Sequence, residues 1–155
     1  MRAVIRSAGW GLTLALAVAA AVQTAAAEVK PAPRAETEVV AALFAILNEG
    51  DAARRDQLIA KAFHENSVFS DADDRAEGAR AIAQRIEHLR RGQGGLRYQP
   101  FGPVAHQHDA LRFAYEAVDA TGATSFEGVV FALLGTDGRF ARVDFFVGPS
   151  AAPLP

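Results

Sequence analysis

The sequence predicts one α+β domain in which three helices come first and an antiparallel sheet follows. Two observations indicate this class: apolar residues recur at helical spacing in the first half of the chain, and they alternate with polar residues in the second half. The length of 155 residues is enough for one ordinary domain and short for two. Such a chain is expected to pack one face of its sheet against its helices.

Three helices are predicted in the first half. The first is stopped by Gly50, and Asp51 can cap the second because its carboxylate accepts free backbone N–H groups. The second helix ends near Ala62 or Phe63, and the third follows Gly78 and is stopped by Gly92. The apolar positions of these helices are Val39, Leu43, Ile46 and Leu47 in the first and Ile82, Ile86 and Leu89 in the third.

Strands are predicted where β-branched and aromatic residues alternate with polar ones. Asp137 and Gly138 predict a hairpin turn, because an Asp-Gly pair readily adopts the positive φ that such turns need. The predicted strands are residues 67–70, 111–116, 126–134 and 139–147.

Residues 1–27 have the pattern of an export signal. Arg2 and Arg6 form a basic head, an apolar stretch follows, and small residues end at Ala27. Cleavage after Ala27 predicts a periplasmic or secreted protein with no stable membrane insertion. The alternative is an uncleaved anchor, because residues 7–27 carry no charge and are long enough to span a bilayer.

The remaining chain divides into three parts by composition. Residues 28–35 contain two prolines and predict an extended lead-in, and residues 150–155 predict a flexible tail. Residues 36–149 are the predicted folded domain.

Several classes of protein are excluded by composition. The chain has no cysteine, which excludes disulfide scaffolds and cysteine nucleophiles, and its net charge of −2 argues against a nucleic-acid partner. Glu87 and Arg91 are spaced for an i, i+4 ion pair. A solvated helix face is therefore the interpretation of the basic residues Arg80, Arg85, Arg90 and Arg91.

Four segments together resemble the nuclear transport factor 2-like superfamily, which includes ketosteroid isomerase and the SnoaL-like polyketide cyclases. The segments are LFAILNEGD at 43–51, AFHENSVFSD at 62–71, GARAI at 78–82 and the hairpin region 127–148. The resemblance covers about residues 36–149. It implies a curved sheet wrapped around the helices as a cone with an apolar pocket, and homodimerisation through the outer sheet face.

The ketosteroid isomerase pattern transfers only in part. Its carboxylate base falls on Asp71, but its tyrosine donor falls on Leu43 and its protonated acid on Val130 or Phe131. An apolar pocket would raise the pKa of Asp71, so this residue is the predicted catalytic base. Apolar side chains cannot stabilise an oxyanion, which disfavours steroid isomerisation unless another donor takes part. The candidate donors are His64, Tyr98, His106, His108, Tyr115 and Arg142.

No metal or cofactor is predicted. His106 and His108 could project from one strand face, but no third ligand is placed by spacing. The acidic run 71–77 lacks the pattern of a calcium loop and is interpreted as a solvated loop, with Asp73 or Asp74 capping the third helix.

Two functions stay open. The first is an exported module that binds a small hydrophobic molecule in its cone pocket; the alternative is an isomerase, cyclase or dehydratase that uses Asp71 as general base. A third reading, a structural dimerisation domain, would leave the cone filled by its own side chains. The predicted pocket residues are Leu43, Phe69, His108, Phe113, Tyr115, Phe131 and Phe145.

Overall fold

The structure, a computed structural model, describes residues 34–148. The predicted signal peptide 1–27, most of the lead-in 28–35 and the tail 150–155 lie outside the described residues. The first helix begins at Arg34, so the last two lead-in residues are helical rather than extended. The helices and strands are α1 Arg34–Asn48, α2 Ala52–Ala62, β1 Phe63–Ser70, β2 Arg75–Glu77, α3 Ala79–Gly92, β3 Arg97–Gln107, β4 Ala110–Val118, β5 Thr124–Leu134 and β6 Phe140–Val147.

The C-terminal end of α1 is fixed to two other elements. The side-chain amide of Asn48 donates to the carbonyl of Tyr98 at 2.7 Å and accepts from its N–H at 2.8 Å. Arg90 on α3 donates from Nη1 to the carbonyl of Leu47 at 2.9 Å. Helix ends leave carbonyl groups unsatisfied, so this arginine both completes α1 and joins it to α3.

Two predicted helix caps have different outcomes. Asp51 caps α2 as predicted, because its Oδ1 accepts from the N–H of Arg54 at 2.8 Å. The cap predicted for α3 at Asp73 or Asp74 is wrong: the N-cap is Gly78, which has φ 85 and makes no side-chain cap bond. The two aspartates lie too far upstream, because strand β2 separates them from the helix.

The sheet is mixed rather than purely antiparallel. Its strand order is β2-β1-β6-β5-β4-β3, and β1 runs parallel to β6 while the other neighbours are antiparallel. The parallel pair arises because the chain leaves the sheet after β2 through α3, re-enters it at the far edge β3, and returns to β1 only with its last strand. Register shifts interrupt four of the pairings, as in sheets that are bent by bulges.

Strands β2 and β3 have no counterpart among the predicted strands. β2 is only three residues long, and β3 contains Pro100, Gly102 and Pro103, which obscure a strand pattern. Proline is tolerated there because β3 is an edge strand and its register shifts between Phe101 and Ala105.

The helices and one face of the sheet enclose a single apolar core. Helix α1 packs near β3, and α3 packs near β1 and β2. The core residues that are fully or nearly fully buried include Leu43, Ile46, Ile59, Phe63, Phe69, Ile82, Ile86, Leu111, Phe113, Tyr115, Val130, Ala132, Phe140 and Val143. The α+β layering predicted from the sequence is thus present.

Candidate functional site

A small cavity of about 50 Å³ lies where the helices meet the ends of β1 and β6. It is called the Asp71 cavity here, after the carboxylate at its edge. Its lining includes five aromatic side chains and comes from α1, α3, five strands and the loop after β1. The lining residues are Leu47, Phe69, Asp71, Ala72, Asp73, Leu89, Gln93, Tyr98, Tyr115, Phe126, Phe145 and Val147.

Asp71 directly follows β1 and forms a two-point ion pair with Arg85 of α3. The Arg85 Nε donates to Oδ2 at 2.7 Å and its Nη2 donates to Oδ1 at 2.5 Å. Oδ1 also accepts from the backbone N–H groups of Asp73 at 2.9 Å and Asp74 at 3.2 Å. The side chains of Asp71 and Arg85 are only 10% and 9% exposed, so this pair is largely removed from water.

The surroundings of Asp71 lower its pKa. Burial alone would raise that pKa, but the hydrogen bonds and positive charge of Arg85, with the two backbone amides, outweigh burial. The sequence-based expectation was the opposite, a pKa raised by an apolar pocket. The prediction missed Arg85, which was interpreted as part of a solvated helix face.

Tyr98 and Tyr115 bring two phenol groups to the same cavity. Their rings stack with centroids 6.2 Å apart, and each packs edge-on against Phe126. Burial, followed by the negative charge of Asp71, raises the pKa of Tyr115 to about 12, and burial also raises the pKa of Tyr98. Both phenols therefore stay protonated at neutral pH. Within residues 34–148 neither hydroxyl donates to a protein acceptor, so both can serve a bound molecule.

Three predicted pocket residues lie in this lining together with Asp71: Phe69, Tyr115 and Phe145. Leu43 and Phe113 lie instead in the solid core, where Phe113 packs edge-on against Phe44 with ring centroids 5.9 Å apart.

The placement of Phe131 and His108 in the pocket is corrected by the structure. Phe131 is 38% exposed and pairs with Asp144, on the sheet face opposite to that of its buried neighbour Val130. The prediction assigned Phe131 to the wrong face, an error of one residue in a pattern of period two. His108 is exposed in the turn between β3 and β4, where it has φ 56.

Two aromatic lining residues were not predicted for the pocket. Tyr98 was only a candidate donor, and Phe126 was only the first residue of a predicted strand. Tyr98 lies on β3, which the sequence did not indicate. The aromatic residues Tyr98 and Phe101 were the available signal for a strand, and proline at position 100 obscured it.

The other candidate donors are elsewhere. His64 lies 2.8 Å from a carboxylate oxygen of Asp137 in the β5–β6 turn, and His106 lies 3.1 Å from Glu36 of α1. Arg142 donates from Nε to Asp144 at 2.6 Å on the outer sheet face. None of these lines the Asp71 cavity.

Metal ligation finds no support in the part of the chain that the structure describes. No three His, Asp or Glu side chains between residues 34 and 148 are grouped closely enough to hold an ion. Over the same residues, no helix combines the length and apolar character that a bilayer crossing requires.

Several larger grooves open on the surface, and the two largest of these lie on the helical layer. One of about 490 Å³ runs between α2 and α3, and one of about 450 Å³ lies between α1, α2 and the β5–β6 turn. Each is an open surface depression away from Asp71, whereas the smaller Asp71 cavity joins a charged pair to an aromatic lining. We therefore take the Asp71 cavity as the candidate site.

The fold and the site together define a class: an α+β domain whose helices and mixed sheet meet around a small aromatic cavity with a carboxylate at its edge. No protein-family model matches the chain. No curated protein matches it either.

Solved structures do match. The chain is similar to a proposed isomerase of the SnoaL-like family from Agrobacterium tumefaciens, with 27% identity, a TM-score of 0.71, and coverage of 74% of this chain and 98% of that one. A proposed polyketide cyclase from Sinorhizobium meliloti has 16% identity, a TM-score of 0.56 and coverage of 70% and 94%. A proposed SnoaL-like polyketide cyclase from Jannaschia has 15% identity, a TM-score of 0.57 and coverage of 76% and 90%.

The last two of these likenesses establish the fold alone. Together with the first, they confirm the predicted resemblance to the nuclear transport factor 2-like superfamily.

Proposed function

We propose that this protein binds a small, mainly hydrophobic molecule through the Asp71 cavity. The observation that carries the proposal is the lining itself: aromatic side chains surround a space that also contains a carboxylate and two phenols without protein acceptors. Apolar pockets with a few convergent polar groups are typical ligand sites.

The size of the cavity limits what enters it. About 50 Å³ is far below the several hundred Å³ of a pocket that encloses a drug-sized molecule. It has room for a few water molecules or for a head group of a few atoms. The apolar body of the ligand would then rest at the rim, near Val147 and Phe126, or displace part of the lining.

A second candidate function is catalysis with Asp71 as general base. The names of the similar proteins and the two phenols beside the carboxylate support it. Arg85 argues against it, because a general base works best with a pKa near the operating pH and Arg85 holds the pKa of Asp71 low. Binding is therefore the preferred function.

Native mass spectrometry of protein purified from its own compartment tests this proposal. The wild type is expected to carry a bound small molecule that stays unchanged on incubation. Ala72→Phe, at the exposed rim of the cavity, should block entry and lose the added mass. Ala60→Phe, at an exposed position of α2, is the matched control and should keep it. A wild type without ligand, or equal retention by Ala72→Phe, contradicts the proposal; conversion of the ligand, abolished by Asp71→Asn, supports the enzyme instead.

Export from the cytoplasm is part of the same proposal. The expected mature N-terminus is Glu28, and cleavage removes Trp10, the single tryptophan of the sequence. Cleavage is measured by the intact mass of the purified protein and by its lower absorbance at 280 nm relative to the full-length chain. A full-length protein in the membrane fraction would support the uncleaved anchor.

Homodimerisation through the outer sheet face is proposed as well. Phe131 is 38% and Phe146 60% exposed there, and large exposed apolar side chains on one face are typical of contact surfaces. Light scattering is expected to give a dimer for the wild type and a monomer for Phe146→Glu. Thr121→Glu, in an exposed turn, should remain dimeric. A monomeric wild type contradicts the proposal.

A further inference from the structure

The two oxygens of Asp71 are occupied unequally. Oδ1 accepts three hydrogen bonds, from Arg85 and from the amides of Asp73 and Asp74. Oδ2 accepts one, from Arg85 Nε, within the described part of the chain. A carboxylate oxygen has two lone-pair sites, so Oδ2 can take one further donor.

A second acceptor in the same lining is also unfilled. The side-chain oxygen of Gln93 is buried and has no hydrogen-bond partner among residues 34–148. Leaving a buried acceptor unsatisfied is costly, which makes a donor from a bound molecule favourable at this place.

The charge of Asp71 is already compensated. Arg85 pairs with Asp71 at two points. Its guanidinium also lies 3.6 Å from Asp73, but the Asp73 side chain is 83% exposed, so water screens the charge of this second carboxylate. A cationic ligand would meet the guanidinium of Arg85 at short range, where repulsion is strong because the pair is shielded from water. The free acceptor positions therefore favour a neutral donor over an ammonium group.

The phenols of Tyr98 and Tyr115 supply the complementary chemistry. Each hydroxyl can donate, and neither has an acceptor in the described part of the chain. A single hydroxyl group on a ligand can donate to Oδ2 of Asp71 and accept from one of these phenols. Both the free acceptor and the free donor of the cavity would then have a hydrogen-bond partner.

We infer that the Asp71 cavity selects neutral molecules that carry a hydroxyl group on an apolar body, with Arg85 as the residue that fixes Asp71 as an acceptor. This inference rests on the proposed binding function and specifies its ligand class. In it, Asp71 receives a hydrogen bond and removes no proton.

Three probes of nearly equal shape test the inference by NMR titration: benzyl alcohol, benzyl methyl ether, which lacks the donor, and benzylammonium, which is charged. Benzyl alcohol is expected to bind at least about tenfold more tightly than the ether, the typical effect of a hydrogen bond to a charged acceptor. Benzylammonium should bind more weakly than the alcohol. An ether as tight as the alcohol, or an ammonium tighter than both, overturns the inference while binding itself stands. Failure of all three to bind removes the proposed function too.

Variants locate the acceptor. Asp71→Asn should reduce the alcohol-to-ether preference to within about twofold, and Asp137→Asn, an aspartate paired with Arg139 in the β5–β6 turn, should leave it unchanged. Gln93→Met keeps the side-chain length and should lower the same preference, which gives a second measurement if Asp71→Asn does not fold. Tyr115→Phe should weaken the alcohol and the ether together, because both accept from its phenol. An alcohol preference that survives both Asp71→Asn and Gln93→Met overturns the inference.

Discussion

Two buried arginines of the helical layer, Arg55 and Arg85, each pair with a carboxylate. The two ion pairs differ in what surrounds the carboxylate. Arg55 of α2 is 2% exposed, donates to the carbonyl of Glu49 at 2.9 Å and pairs with Glu87 of α3. Glu87 is shared with Arg91 and is 31% exposed. Arg85, by contrast, pairs with Asp71, which lines an aromatic cavity.

The difference lies in what remains available on the carboxylate. Glu87 receives two arginines and faces solvent, and its pair with Arg55 joins α2 to α3 and to the preceding turn. Arg55 Nε is buried without a partner among the described residues, and it lies at the open groove between α2 and α3, whose lining has no aromatic residue. Asp71 keeps one free acceptor position on Oδ2, and the residue lines a space that a ligand can enter. The Asp71 pair is therefore the candidate site because it leaves a free acceptor beside an aromatic cavity, whereas the Arg55 pair leaves a free donor at an open groove without aromatic residues.

The largest expected effect comes from breaking the Asp71 pair. Asp71→Asn leaves Arg85 buried without a counter-charge and should lower the free energy of unfolding by about 3 kcal/mol at pH 7. Urea denaturation measures it. Asp73→Asn, whose side chain is 83% exposed, is the control and should change stability little. A loss for Asp71→Asn no greater than that of the control would contradict this account.

The same substitution predicts a pH dependence. The pKa of Asp71 in the folded state is lower than its ordinary value of 3.8, so its contribution is complete above that value and is lost as pH falls below it. The stability difference between wild type and Asp71→Asn should thus be constant near neutral pH and shrink below about pH 4. If this stability difference instead grew as the pH falls, the pKa of Asp71 would be raised in the folded state and not lowered.

A smaller effect is expected at the second arginine. Arg55→Met keeps most of the apolar stem and removes the hydrogen bonds to Glu49 and Glu87, at a cost of about 1–2 kcal/mol. Thermal and urea unfolding measure it, with the exposed Arg54→Met as control. Ligand binding at the Asp71 cavity should be unaffected by Arg55→Met, and a changed affinity would mean that the two arginines are coupled.

The smallest effects concern groups without a structural partner or with full access to water. Tyr115→Phe should change the free energy of unfolding by less than about 0.5 kcal/mol, because its phenol bonds to no described protein atom. Arg91→Ala removes an exposed i, i+4 pair and should leave the urea midpoint unchanged. A marked loss of stability in either variant would mean that the side chain makes a stabilising contact in addition to those described above.

The helices were well predicted from the sequence because their signals are local. The glycine after α1 and the Asp51 cap fixed two boundaries, and the Glu87–Arg91 pair follows directly from helical spacing. The same local reasoning failed for Arg85, which looked like its neighbours on α3. Its partner lies fourteen residues away on another element, and nothing in the spacing of α3 indicates it.

The sheet was less predictable because faces and neighbours are set by long-range register. The alternation of β4 was correct, but Phe131 was placed inside when the pairing of β5 puts Val130 there. A chain read strand by strand also gives no sign that β1 runs parallel to β6. The cavity depends on both features, since Phe69 and Phe145 reach it from those two strands.

The parallel seam between β1 and β6 has a consequence for biosynthesis. Ser67 donates to the carbonyl of Phe140, and Ser70 to the carboxylate of Asp144, across more than seventy residues. Strand β1 is synthesised early, but its neighbour β6 is synthesised last. The sheet therefore cannot be completed until nearly the whole domain has been translated. A chain cut short before β6 would have β1 and β2 attached to nothing but the helices.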